Sequence, residues 1–251
     1  MRLTVLGGCG GWPAAGLACS GYLVEQDGFR LLIDPGYATL PRLLTVADAT
    51  EVDTVLVSHG HPDHCADLNP LLRSRAMRDV PPQALPVLAP RGALGPVLAL
   101  DRPGVLDDAI ALREFTPGDR LEVGPFAVRS WLLPHWMPNA GLRLEAGGQV
   151  LAYTGDSGPS PLLAELARGA DVFLAEATEP WQLAGSEARY LSTARQAGAV
   201  AREAGAGRLV LTHLWPGTDP DEAVRAAAGS YAGEIAVASP GLVAEPGVRG
   251  E

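Results

Sequence analysis

The chain has 251 residues and a mass of 26.1 kDa, with 47% hydrophobic and 19% charged residues, so it can bury a full core in one large domain or two small ones. Its formal charge is −10 and every basic residue is an arginine, a balance that repels polyanions and disfavours a long nucleic-acid partner unless arginine gathers on one face. The opening "MRLTVLGG" is too short an apolar run for a signal peptide, and no later stretch approaches a membrane helix, which places the protein in the cytoplasm with no membrane partner.

Strand-length apolar runs come first: "RLTVLG" from Arg2, "GYLVEQ" from Gly21, "FRLLIDPG" from Phe29 and "DTVLVSH" from Asp53. The Gly-rich "GGCGGW" from Gly7 lacks the spacing of a nucleotide-binding fingerprint and reads as a tight connection that carries backbone close to a site. Helical spacing follows Asp63, at Leu68, Leu71 and Leu72. Arg73, Arg75 and Arg78 lie just beyond, at offsets that scatter over a helix and predict a solvated surface. The middle section, "AIALREF", "LEVGPFAVRSWLLPH" and "GLRLEAGGQVLAYTGD", reads as further strands joined by Pro-Gly and Gly-Gly turns, and "SPLLAELARGA" as a helix. From Asp171 strand and helix alternate: "DVFLAEA", "STARQAGAVAREAG", "RLVLTH", "PDEAVRAAAGSYAG", "EIAVAS". Two mostly β halves, each ending in helices, suit a layered α/β sandwich, expected to span residues 1–251 as one domain. Cys9, Cys19 and Cys65 are odd in number and have no metal-ligand repeat, so neither a disulfide framework nor a zinc ribbon is expected.

The stretch "VLVSHGHPDHCADL" spends three of the five histidines in six residues, at the carboxyl end of an apolar strand, where α/β proteins keep their chemistry. His59 and His61, two apart on an extended loop, point to the same side, while Asp63 and His64 at a following helix start reach a second point nearby. His135 and His213 also end apolar runs, as does Asp156 in "LAYTGDSG". A single histidine in such a place is most often a surface or satisfied core residue, and a single aspartate there a turn former. All five histidines at strand ends form a set suited to a divalent metal, with room for two, because Zn²⁺ accepts neutral imidazole and carboxylate while Mn²⁺ and Fe²⁺ take the same donors.

These residues resemble a known family. "HGHPDH" at His59 to His64 matches the His-x-His-x-Asp-His signature of the metallo-β-lactamase fold. "LLIDPG" with Asp34, His135, "TGDSG" with Asp156 and "LTHLWPG" with His213 follow the family's other motifs in order. The resemblance implies a four-layer αβ/βα sandwich with a dinuclear site: His59, His61 and His135 on one metal, Asp63, His64 and His213 on the other, Asp156 bridging, and Asp34 in support. "VLGGCGGWPAAGLACSGYLVE", "LAYTGDSG", "DVFLAEAT" and "STARQAGAVAREAGAGRLVLTH" are most similar to the ribonuclease Z-like branch, particularly its short bacterial cyclic-nucleotide phosphodiesterases. That branch usually carries a proton-donating His before the Ser-Thr-Ala stretch, where this chain has Tyr190 and Leu191, and a His in its His-Glu-Ala-Thr element, where this chain has Ala175. A long basic arm for gripping tRNA is also missing.

The activity so implied is metal-dependent hydrolysis of a small phosphodiester, cyclic nucleotides included, by activated water that Asp63 orients or deprotonates. With the family histidine missing, Tyr190, Ser192, Thr193 or a metal-held water would supply the leaving group's proton, and an activated ester, lactone or thioester becomes a competing substrate. Trp136 and Trp215, adjoining His135 and His213, are candidates for a pocket wall together with Tyr190 and Ser192, although core or rim packing is the commoner role of such tryptophans. Redox chemistry is disfavoured, since diiron members of the superfamily have Glu where this chain has His61, and a binding module without chemistry would have no reason to keep Asp63 and Asp156. A homodimer is expected by analogy with relatives.

Overall fold

The computed structural model describes residues 1–245, so the last six residues of the expected domain lie outside the described residues. The first half forms β1 (Arg2–Gly7), β2 (Gly21–Gln26), β3 (Phe29–Ile33), β4 (Thr54–Leu56), β5 (Leu85–Pro90) and β6 (Ile110–Phe115), with short helices α1 (Leu40–Leu43), α2 (Pro62–Cys65), α3 (Leu68–Ala76) and α4 (Gly95–Leu98) between strands. The second half forms β7 (Arg120–Val123), β8 (Phe126–Leu133), β9 (Asn139–Ala146), β10 (Gln149–Tyr153), β11 (Val172–Glu176), β12 (Arg208–Thr212) and β13 (Glu234–Val237), with helices α5 (Leu162–Leu166), α6 (Ala194–Ala204) and α7 (Pro220–Ala228). A last strand, β14 (Val243–Ala244), crosses back to pair with β1. Each sheet has seven strands, in the orders β14-β1-β2-β3-β4-β5-β6 and β13-β12-β11-β10-β9-β8-β7. Both sheets are mixed: hairpin neighbours such as β2 and β3 run antiparallel, while β3 through β6 and β10 through β13 run parallel.

Side-chain alternation along the strands generates the four layers. Leu31 and Ile33 of β3, and Val172 and Leu174 of β11, enter a core shared by the two sheets. Leu32 of β3 turns the other way, onto Leu43, Leu68, Leu71 and Leu72 of the first helical layer. Phe173 and Ala175 of β11 likewise turn outward onto the second helical layer. The expected αβ/βα sandwich is therefore the observed one. Among the described residues no helix is long and apolar enough to cross a membrane, and all three cysteines are free, buried thiols.

Two features differ from the reading of the sequence. Residues Leu85–Pro90 form a central strand that their flanking prolines disguise; Pro86 is tolerated because the ladder to β4 begins only at Val87. The three arginines, Arg73 and Arg75 in α3 and Arg78 just after it, do not all lie on a solvated face. Arg75 is buried and donates to the carbonyls of Ala49 and Gln83 at 2.8 and 3.1 Å, Arg73 pairs with Asp101, and Arg78 donates to both oxygens of Asp48 at 2.7 and 2.8 Å. Arg73 and Arg75 tie α3, and Arg78 the turn after it, to neighbouring loops, while Arg78 stays exposed as expected.

Helices α6 and α7 meet through small residues, with Ala194, Ala197, Ala201 and Ala204 on one side and Ala223, Ala226 and Ala227 on the other. Gly198 allows this approach, since a Cβ there would lie 2.3 Å from the carbonyl oxygen of Ala227. Alanine gains about 1 kcal/mol over glycine in a helix interior. We expect Gly198→Ala to destabilise nonetheless, by about 1–3 kcal/mol from overpacking, seen as a lower urea midpoint. A raised midpoint would show that the two helices can part freely.

Candidate metal centre

The carboxyl ends of β4, β8, β10 and β12 converge on one rim of the sandwich, and each delivers a polar side chain there: His59 follows β4, His135 follows β8, Asp156 follows β10 and His213 follows β12. His61 caps α2, and Asp63 and His64 sit in its single turn. Two groups result, His59, His61, His135 and Asp156 in one and Asp63, His64, His213 and Asp156 in the other, with all candidate ligand atoms of a group within 4.8 Å of one another. All seven residues expected from the sequence are thus brought together, in the expected partition, with Asp156 common to both groups.

In the first group His61 Nδ1 lies 3.0 Å from His59 Nε2 and 2.9 Å from His135 Nε2, and Asp156 Oδ2 lies 3.7 Å from both Nε2 atoms. In the second, His213 Nε2 stands 3.2 Å from Asp63 Oδ2 and 3.1 Å from Asp156 Oδ2, while His64 Nε2 stands 3.1 Å from Asp156 Oδ1. Zinc–nitrogen bonds of about 2.0–2.1 Å set tetrahedral ligands roughly 3.3 Å apart, the same range of spacing.

Outer partners fix which ring nitrogen turns inward. His135 Nδ1 donates to the carbonyl of Tyr190 at 3.0 Å, and His64 Nδ1 donates to Asp34 Oδ2 at 2.8 Å. The hydroxyl of Ser58 donates to Asp34 at 2.6 Å and therefore accepts from His59 Nδ1 at 3.0 Å. By the same logic Thr178 donates to Glu176 at 2.7 Å and accepts from His213 Nδ1 at 3.1 Å. Each of these four imidazoles is so held with its Nε2 pointing into the centre.

Asp34 also accepts from the Tyr153 hydroxyl and the Ser58 amide, both at 2.7 Å, which gives the support expected of it. Glu176 is its counterpart in the second sheet, taking the amides of Ser157 and Ser192 as well as Thr178. The sequence reading missed Glu176, Ser58, Thr178 and Tyr153. For Glu176 a signal was present, since it ends an apolar run just as Asp34 does.

Backbone geometry shows how closely the rim is built. Asp34 and His213 both adopt left-handed φ, +50° and +61°, a region that side chains other than glycine seldom occupy. The loop after β1 runs against the site, with the Gly11 amide donating to Asp63 Oδ2 at 2.7 Å. Gly10 permits this, because a Cβ there would come within 2.6 Å of the His213 ring.

Burial pulls His59, His61 and His135 below the usual histidine range, leaving three neutral rings with converging lone pairs. Burial opposes charge on His64 and His213 too, but Asp156 and Asp63 outweigh it, raising His64 well above that range and His213 to about 10. The pairing holds Asp156 and Asp63 below the usual carboxylate range despite their own burial. Glu176 is pushed up to about 8 by burial and by Asp156.

This donor set fits divalent metals. His64 Nε2 and Asp156 Oδ1 are buried 3.1 Å apart but are not aligned for a hydrogen bond to each other and have none to any other group, a costly arrangement that a cation would relieve. In the first group His59 Nε2 and His135 Nε2 both turn a lone pair toward His61 Nδ1, which can donate to only one of them.

Of the residues expected to wall a pocket, Trp136 lies with its ring centroid 5.0 Å from His135 and 5.2 Å from Tyr190, and Trp215 lies 6.1 Å from Trp12. Ser192 does not join them. Its hydroxyl is buried and donates to the Ser157 carbonyl at 2.6 Å, because the turn into α6 directs it behind the site. Thr193 caps α6, donating to Gln196 at 3.0 Å.

Two seven-stranded sheets between helical layers, with paired histidine–carboxylate groups on their common rim, define a metallo-hydrolase of the metallo-β-lactamase fold. The family profile described as "Beta-lactamase superfamily domain" matches residues 29–214, and the chain belongs to that superfamily. It is 30% identical over 245 residues, 98% of this chain and 100% of the relative, to "Probable metallo-hydrolase YhfI" of Bacillus subtilis. The crystal structure of that metallo-β-lactamase fold protein matches with a TM-score of 0.88 over 97% of this chain and 99% of the other. Ribonuclease Z of Methanopyrus kandleri is 32% identical over 285 residues, 95% of each chain. The short form of human tRNase Z, at 21% identity, shares the fold with a TM-score of 0.82 over 99% of this chain and 100% of that one.

Loss of an outer carboxylate typically weakens metal binding about 10–100-fold. Asp34→Ala is expected to do so here, measured by competition with a chromophoric chelator. Unchanged affinity would mean that His64 keeps its orientation without Asp34.

Proposed function

We propose that the protein is a phosphodiesterase of small nucleotides, cyclic ones included, working with two divalent ions, Zn²⁺ foremost among Zn²⁺, Mn²⁺ and Fe²⁺. The observation that carries this is the pair of ligand groups sharing Asp156. His59, His61 and His135 would hold one ion, Asp63, His64 and His213 the other, and Asp156 would touch both. Two ions so placed would lower the pKa of a water and neutralise charge on phosphoryl oxygens.

The protein's own groups supply the rest. Asp63, 7% exposed against 2% for Asp156, is the carboxylate nearer the mouth, where it orients the attacking water and takes its proton. A water oxygen–phosphorus bond forms, an ester phosphorus–oxygen bond breaks, and the departing oxygen takes a proton. With Ser192 and Thr193 committed elsewhere, the hydroxyl of half-buried Tyr190 is the protein group left for that last role. Two relatives named for ribonuclease Z activity support phosphodiester chemistry, while the charge of −10 and the lack of a basic arm favour small substrates over tRNA.

A second reading keeps the centre and changes the ester. Without an imidazole acid, substrates with acidic leaving groups are favoured, and the apolar groove of about 500 Å³ beside His135 would suit the acyl part of a lactone, ester or thioester.

Protein loaded with Zn²⁺ or Mn²⁺ is expected to hydrolyse 3′,5′-cyclic AMP, and Asp63→Ala to lose at least 100-fold in kcat, about the minimum for removing a catalytic base. If protein shown to hold two metals turns over no phosphodiester but cleaves carboxylic esters, the second reading replaces the first.

A further inference from the structure

Three of the chain's five tryptophans stand around the metal centre, in two separate aromatic pairs. At the first ligand group, Trp136 packs on Tyr190 with ring centroids 5.2 Å apart and an interplanar angle of 39°, and lies 5.0 and 6.5 Å from the rings of His135 and His61. At the second group, Trp12 packs on Trp215 at 6.1 Å and 41°. Gly11 adjoins Trp12, its amide reaches Asp63, and a Cβ on it would stand 3.9 Å from Trp215 Nε1. Both Trp12 and Trp136 are 52% exposed. An indole left half in water beside a buried polar centre is poorly used surface unless a ligand covers it.

Charge does not explain what the Trp136 face binds. The groove beside Trp136 is lined by residues such as Leu133, Pro134, Met137 and Pro138, with no Lys or Arg among its lining residues. Recognition there is by flat apolar contact, leaving the ligand's negative charge to the ligand groups between the two pairs.

We infer that the metal centre lies between two stacking platforms, and that its preferred substrate carries a flat ring on each side of the scissile ester, as a dinucleotide does and a mononucleotide cyclic ester does not. This rests on the phosphodiesterase reading. One base stacks on Trp136 with Tyr190 behind it, the other on Trp12 with Trp215 behind it, and the phosphodiester between them meets the two ligand groups. Base–aromatic stacking is tolerant of sequence, so discrimination falls on the number of rings rather than on their identity.

The test compares two esters with the same leaving group: thymidine 5′-(p-nitrophenyl phosphate), with a ring on each side of the scissile bond, and methyl p-nitrophenyl phosphate, with one. Nitrophenolate leaves without needing a proton, so the missing histidine does not bear on the result. The two-ring ester is expected to show a kcat/KM higher by on the order of ten- to a hundredfold. Trp12→Ala and Trp136→Ala are each expected to erase about tenfold of that preference, mainly through KM. As a readout independent of turnover, the phosphorothioate analogue of thymidylyl-thymidine is expected to quench tryptophan fluorescence, less so in each variant. Equal kcat/KM for the two esters, or no quenching, overturns the platforms. Quenching without turnover of either ester, in protein holding two metals, keeps the platforms and overturns the phosphodiesterase reading.

Discussion

The structure is organised by the cost of putting ionisable groups where water cannot reach them. Asp34, Asp156 and Glu176 have almost no exposed surface, and neither have His59 and His64. A buried carboxylate or imidazole is tolerated only when its polar atoms are met by donors or by opposite charge. Here the outward-facing atoms are met completely, through Ser58, Thr178, Tyr153 and backbone groups. The inward-facing atoms are not, and the mismatch is confined to one small volume. Strained φ values at Asp34 and His213 are compatible with this, since the surrounding hydrogen bonds hold both residues in place.

The division of labour between sheet and loop follows from the same cost. Strands end in a dry core, so a side chain one or two positions past the last ladder bond is already oriented when it leaves the sheet. Four strands contribute in this way, and α2 adds Asp63 and His64 through one turn of helix. The result needs no long loop for positioning. The rim's mobile-looking vocabulary of Gly, Pro and Ser is instead pinned by close contacts such as Gly10 against His213.

What could be read beforehand was whatever chemistry makes rare. Histidine occurs five times in the chain, and its position at strand ends was visible because apolar runs mark the strands. The layered fold was visible for the same reason, in the alternation of Leu31, Leu32 and Ile33. Hydroxyls carry no such mark. Ser58 and Thr178 look like any other serine or threonine until the fold brings each between an imidazole and a carboxylate. Ser192 shows the converse, a residue in the right segment whose hydroxyl a helix cap turns away. Arg75 was misjudged because its partners are carbonyls, those of Ala49 and Val52 in one segment and of Gln83 in another, and backbone acceptors leave no trace in a sequence. The strand at Leu85–Pro90 was hidden because proline is a poor strand residue except where no ladder bond is asked of its nitrogen, as at Pro86, ahead of the β4 ladder.

Each ligand group draws half its members from one sheet and half from the other: His59 and His61 with His135 and Asp156, Asp63 and His64 with Asp156 and His213. An ion in either group is consequently a clasp across the sandwich, in the position a disulfide takes in secreted proteins, and it joins segments far apart along the chain. That gives biogenesis a fixed order. The first group is complete once Asp156 has left the ribosome, whereas the second waits for His213, beyond a further strand–helix–strand unit. A nascent or truncated chain ending before β12 would therefore offer one clasp and never the pair, so the finished centre also certifies that synthesis reached the last parallel strands.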